Sequence, residues 1–302
     1  MPNMKILRFT NVATFAFIVS FMAAATPACA EEEMEFEVMD AGHSGDFSGD
    51  ALTKNDENRA RIERLLSIPL PRTSRAGALS YLIEHRTSEP VDKDPFHNFL
   101  GFDSGEVKIG FGLLYGVTDW MDISAYRNNG TVETFDTYQF TGRAQFLDET
   151  KDQFMDAAVI FGGSLFTIRG SDDVWANLGY GLFGKTILDR LYISSGAIYH
   201  EDSTARDKTA ADRNESTAIL GGAHWRATDG ILLTGEYSVP VDGYEAKSMA
   251  WAGGIKFVTH RHTFALIAGN TQYMGLDGFA AGTSSKSSDV QVGFAITREF
   301  NL

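Results

Sequence analysis

Glu106-Val107-Lys108-Ile109-Gly110-Phe111-Gly112-Leu113-Leu114-Tyr115 is the stretch on which the fold turns. Successive side chains of an extended chain point to opposite faces, so Val107, Ile109, Phe111, Leu113 and Tyr115 share one face and Glu106, Lys108, Gly110 and Gly112 the other. One face is oily; the other is small or charged. The pattern returns at 137–146, where Tyr138, Phe140 and Phe146 oppose Thr137, Gln139, Thr141, Arg143 and Gln145. It returns again at 231–239, with Ile231, Leu233, Tyr237 and Val239 against Thr234, Glu236 and Ser238. Met249, Trp251, Ile255 and Phe257 oppose Ser248, Ala250, Gly254 and Lys256, and near the end Val290, Val292, Phe294, Ile296 and Phe300 oppose Gln291, Gly293, Thr297 and Glu299.

Weaker alternation fills the gaps at 78–86, 121–127, 156–167, 174–184, 191–200, 217–226 and 262–270. The total is about twelve strands of about ten residues, the length a tilted strand needs to cross a bilayer. A half-buried soluble sheet alternates too. Three features favour a membrane wall: charges in mid-strand opposite the apolar face, a Gly-rich face too small to fill a dry core, and a last strand ending on the aromatic Phe300. The sequence therefore predicts an all-β protein, an antiparallel up-and-down transmembrane β-barrel over 76–302. A soluble β-sandwich is the competing fold. The even-numbered links, such as 116–119, 185–189 and 227–230, are short, whereas 87–103, 201–214 and 272–288 are long and polar. That parity predicts both barrel ends on the short-turn, periplasmic side.

The chain opens with Lys5 and Arg8, runs apolar over 12–25, and reaches Ala28-Cys29-Ala30 before Glu31-Glu32-Glu33. A charged start, a short apolar centre and a small-x-small site predict a cleaved signal peptide over 1–30 and export to the Gram-negative envelope. A retained anchor is the alternative, as is a lipoprotein leader cut before Cys29, for which Thr26-Pro27-Ala28 is a poor fit. Cys29 is the only cysteine, so cleavage after Ala30 leaves no disulfide framework. Residues 31–75 are polar and acidic and are expected to form a flexible periplasmic lead-in, with one short helix at 58–66 that packs at the barrel mouth or tethers it. The formal charge of −14, more acidic still without Lys5 and Arg8, argues against nucleic acid as a partner. Thirty Gly and 22 Phe beside seven Pro suit an all-β chain.

Several short motifs resemble a family of bacterial membrane β-barrels, domain-of-unknown-function family 5777. Ile83-Glu84-His85-Arg86 resembles its early His-Arg motif, Gly101-Phe102-Asp103 its acidic step, and Tyr115-Gly116-Val117-Thr118-Asp119 with Arg127 its first turn and strand. Gly235-Glu236-Tyr237 before Pro240, and His262-Thr263-Phe264 leading to Asn270, are similar to two later signatures. The chain departs from the pattern with Thr87-Ser88 after His-Arg and Ala265 after His-x-Phe. The resemblance covers roughly residues 70 to 300 and implies a fold and a location, not a reaction.

Parity places Glu84, Arg86, Lys108, Arg143, Glu236 and Lys256 on the inward face. They are candidate lumen-lining residues that select ions or a polar solute; equally, they neutralise one another across neighbouring strands. His260 and His262, even joined by His85, His97 or His200, flank a turn without Cys or a carboxylate cluster, so no metal site is assigned. His200-Glu201-Asp202-Ser203 opens a polar loop and lacks a nucleophile motif, so no catalytic residue and no cofactor is assigned. Trp120, Trp175 and Trp225 lie near strand ends as an interfacial girdle would, and Trp251 is placed mid-strand on the apolar face.

A passive channel or small-solute transporter leads these readings. A closed barrel with a structural or docking role is second, and an outer-membrane hydrolase third. An open lumen favours the first; a lumen filled by side chains or by the segment before residue 75 favours the second. The expected partners are outer-membrane lipid, the barrel-insertion machinery that reads the terminal strand, and a small polar solute or ion.

Overall fold

The computed structural model describes residues 63–88, 90–91, 107–129, 136–167, 173–201, 215–243 and 246–301. The expected leader, the acidic segment up to residue 62, the Gly101-Phe102-Asp103 step, His97, Asp202 and Ser203 lie outside them.

Twelve strands close into one antiparallel barrel. They are β1 (Ala78–Thr87), β2 (Val107–Thr118), β3 (Met121–Asn128), β4 (Thr137–Leu147), β5 (Asp156–Thr167) and β6 (Asp173–Ile187), followed by β7 (Leu191–Glu201), β8 (Glu215–Thr228), β9 (Ile231–Asp242), β10 (Ala250–Val258), β11 (His262–Gly269) and β12 (Gln291–Asn301). Each pairs with its neighbours in sequence, and β12 returns to β1 in a register running from Leu79 opposite Phe300 to Arg86 opposite Gly293. Closure leaves no free edge. Every strand anticipated from alternation is present, with ends displaced by up to three residues.

The period of two decides which side faces where. Along β2, Lys108, Gly110 and Gly112 are buried, whereas Ile109 and Phe111 are exposed. The same inversion runs round the wall: Phe161, Phe183, Ile219, Leu233, Ile255 and Leu266 are exposed, while Glu84, Asp122, Arg143, Asp156, Glu236 and Lys256 are buried. Oily outside and charged inside is the reverse of a water-soluble protein and suits a wall bathed in hydrocarbon. No helix among the described residues is long and apolar enough to cross a membrane; the strands do so.

Trp120 and Trp225 lie at the short-turn end and Trp175 at the long-loop end. Trp251 corrects the mid-strand reading, because β10 begins only at Ala250 and the indole Nε1 donates to the Ser287 carbonyl at 3.2 Å. Alternation extrapolated outward past Met249 had lengthened the strand.

Two segments enter the barrel. Residues 63–76 form a strap that turns back on itself: Leu65 N donates to Ile68 O at 2.7 Å and Leu70 N to Glu63 O at 2.9 Å. Leu65 and Ile68 are fully buried, and Leu66 and Leu70 almost so. The expected helix over 58–66 is therefore absent over 63–66, where the chain instead pairs back on itself with Arg64 opposite Pro69, and residues 58–62 lie outside the described part. Nor are residues 63–75 a free lead-in, since they run inside the wall. The second segment is the link after β11. It carries a short helix α1 (Leu276–Ala280) whose five residues are all buried.

Candidate functional site

The strap meets the wall through its backbone first. Glu236 projects inward from β9, and its carboxylate accepts from three successive peptide N–H groups, Leu66 at 2.9 Å, Ser67 at 2.8 Å and Ile68 at 3.1 Å. Successive amides around a tight turn form a concave anion cradle. Wall cations take the carbonyls: Arg143 Nη1 donates to Leu70 O at 2.6 Å and Glu63 O at 3.1 Å, and Lys256 Nζ donates to Arg64 O at 2.8 Å. Asp122 on β3 pairs with Arg143 and also accepts from Ser74 N at 2.8 Å.

Side chains of the strap complete the seating. Arg64 reaches Glu84 at 3.1 Å, Arg72 reaches Asp156 at 2.7 Å, and Arg75 reaches Glu299 at 2.8 Å. Arg72 also lies over the Tyr192 ring, 4.5 Å from its centroid, while the Tyr192 hydroxyl donates to Asp156 at 2.7 Å. Tyr126 donates to Glu84 at 3.1 Å. It can lie there because Gly110 has no side chain: a Cβ at that position would stand 1.9 Å from the Tyr126 hydroxyl.

Arg86 joins the two inserted segments, donating through Nη2 to Ser67 Oγ at 2.7 Å and through Nη1 to Thr271 O at 3.4 Å. Gln139 holds α1, donating to Asp277 at 2.9 Å and accepting from Leu276 N at 3.2 Å, and Ser238 donates to Ala280 O at 2.8 Å. Between strap and link a cavity of about 140 Å³ remains, bordered by Glu63, Arg64, Tyr126, Gln139, Lys256 and Leu276. It has room for on the order of ten waters. Glu63 stands on the strap rather than in a membrane-crossing strand, and burial pushes its carboxyl up to about 7, against the lowering pull of Ser74 and Arg143.

All six candidate residues are buried. Glu84, Arg86, Arg143, Glu236 and Lys256 converge on the strap. Lys108 lies at the start of β2, across the strand pair from Arg86. Sequence reading passed over Asp122, Asp156 and Tyr126. Asp122 had a usable signal, a charge near the start of a strand between Met121 and Ile123, and Tyr126 shares its inward parity although neither was singled out. His85 stacks on Phe294 and His262 on Phe264, and among the described residues no group of three or more His, Cys, Asp or Glu is placed to hold a metal.

Residues 63–300 match the family described as a membrane bound beta barrel domain, DUF5777. The chain belongs to this family. The matched region of this DUF5777 barrel opens at Glu63, so it takes in the strap as well as the wall. No curated protein matches the sequence. Among solved structures, the DUF5777 chain is similar to a KdgM porin in complex with disordered oligogalacturonate, at 8% identity and a TM-score of 0.47, covering 74% of this chain and 99% of that one. It is similar to the NanC porin at 11% identity and a TM-score of 0.45, covering 74% and 100%. It is also similar to outer membrane phospholipase A from Escherichia coli at 12% identity and a TM-score of 0.41, covering 73% and 92%. The family and the closed twelve-strand sheet together make the DUF5777 chain a membrane-bound β-barrel.

Proposed function

We propose that this protein is a non-enzymatic outer-membrane barrel, exported by its signal peptide, whose ground state is closed by its own strap and which passes small polar solutes only when the strap is displaced. The observation that carries this is the way the strap is held. Leucines fill space, but Glu236, Arg143, Lys256, Glu84 and Arg86 fix it through hydrogen bonds and ion pairs. A plug needed only for rigidity would be held as well or better by apolar packing, because desolvation offsets much of a buried ion pair's attraction. Polar contacts instead leave a wettable wall behind when the strap departs, which a solute path requires. The closed barrel with a docking role is the second reading, favoured by the inward-folded α1 link, which narrows the lumen independently.

Planar-bilayer recording separates the two. The refolded mature protein should be nearly silent, whereas Glu236→Ala, which uncouples the strap's turn, should open frequently. Silence in both would overturn the gated reading in favour of the closed barrel; equal steady conductance in both would overturn the plug.

A further inference from the structure

We infer that the inner wall is a binding track for an extended, arginine-bearing peptide, and that the strap is its resident ligand. This rests on the reading that the strap can leave, and it names what then takes its place.

Beside hydroxyl contacts at Ser67 and Thr73, two kinds of wall contact hold the strap. The first reads main chain alone. Acceptors on the wall meet peptide N–H groups, through Glu236 at Leu66, Ser67 and Ile68, Gln145 at Thr73 (3.1 Å) and Asp122 at Ser74. Donors on the wall meet carbonyls, through Arg143 and Lys256. These contacts ignore side-chain identity, so any segment that reproduces the path can make them, as in other modes of extended-peptide recognition.

The second kind reads guanidinium groups. Glu84, Asp156 and Glu299 lie on three different strands, are at most 5% exposed, and each carries one strap arginine. Glu84 has capacity beyond that: its Oε1 accepts no hydrogen bond, with Arg86 Nη2 at 3.6 Å. Emptied of the strap, the wall would hold buried carboxylates stripped of three cations. Arg143 is paired with Asp122 within the wall, so the strap's own cations are the ones withdrawn, at Glu84, Asp156 and Glu299. A peptide that restores main-chain partners but not arginines would leave Asp156 without its guanidinium and Glu84 with Arg86 as its remaining one, and the wall discriminates on that ground.

A tethered ligand competes at an effective concentration in the millimolar range, so a free peptide must reach that range or meet a weakened strap. Hydrogen exchange on the intact wild-type protein is the first test. A synthetic peptide of residues 63–76 at several millimolar should accelerate exchange of the Leu66, Ser67 and Ile68 amides at least tenfold. The same peptide with Arg64→Gln, Arg72→Gln and Arg75→Gln should leave them unchanged. The second test places those three substitutions in the full chain instead and measures anisotropy of labelled peptide. The arginine peptide should bind at least tenfold more tightly than the glutamine peptide. Equal behaviour of the two peptides, or no effect of either, overturns the proposal, and the exchange experiment decides if the triple variant does not fold. Peptide binding without any current in that variant would instead retire the gated solute path and leave the track standing.

Discussion

Glu236 is held by peptide N–H groups of the strap's turn, so its loss exposes the strap's weakest dependence. Glu236→Ala leaves three buried donors without partners and should weaken docking by about 3 kcal/mol, roughly a hundredfold in the opened population. Tryptic cleavage after Arg64 and Arg72 in the folded, heat-modifiable protein reads this directly. Arg143→Gln strands Asp122 and two strap carbonyls, a loss of about 3 to 5 kcal/mol that mere lumen lining would not produce. Glu63 adds a pH dependence. Its carboxyl is raised from 4.5 to about 7 by burial, with Arg143, Asp122 and Glu299 facing it. The docked strap therefore takes up a proton: this contribution is full below pH 4.5 and is lost as pH rises through 7. Tryptic cleavage of the strap should speed up from pH 6 to pH 8 in wild type, and Glu63→Gln should flatten that rise. At this scale the inward set was legible because alternation fixes direction. Its partners were not, because Glu84 meets Arg64 and Glu236 meets residues 66–68 across some 20 and 170 positions of sequence.

The elements divide into those whose period announces them and those without one. β2 or β9 could be read from half a dozen residues, since a one-residue slip would turn every charge into hydrocarbon. The strap reads Leu65-Leu66-Ser67-Ile68-Pro69-Leu70-Pro71, apolar at no period, and its prolines only exclude a helix. α1 was lost inside a long polar link for the same reason: five residues have no face to repeat. The last strand carries its own test. Phe294, Ile296 and Phe300 are less buried than Gln291, Gly293 and Glu299, as an outward apolar row requires. Phe300→Ala should reduce the yield of heat-modifiable folded barrel by removing an outward aromatic from the seam with β1. Glu299→Ala should instead leave the yield intact and loosen Arg75 at the strap's end.

Across the described residues, the mid-strand charges of the wall face inward, exposed ones such as Asp173, Glu215 and Arg298 lie near strand ends, and the strap supplies partners to the interior set. A lysine at an outward position such as Phe161 or Leu266 would cost about 2 to 4 kcal/mol near mid-membrane, whereas Thr141→Lys, on the cavity, should cost less. Comparing urea midpoints of the three variants in lipid checks the assignment of faces. The hairpin shape of the strap has a mechanical meaning as well. Glu63 and Leu70 lie side by side with the turn beyond them. A pull at Glu63 loads the bonds its carbonyl accepts from Leu70 N–H and Arg143 first, then the contacts of Arg64 with Pro69, Glu84 and Lys256, then the cradle at Glu236, one after another as in opening a zip. The same pull applied from the β1 side would strain the contacts of Arg72, Thr73, Ser74 and Arg75 together. The strap is therefore held directionally: its leading end releases contact by contact, whereas its trailing end must release several contacts at once.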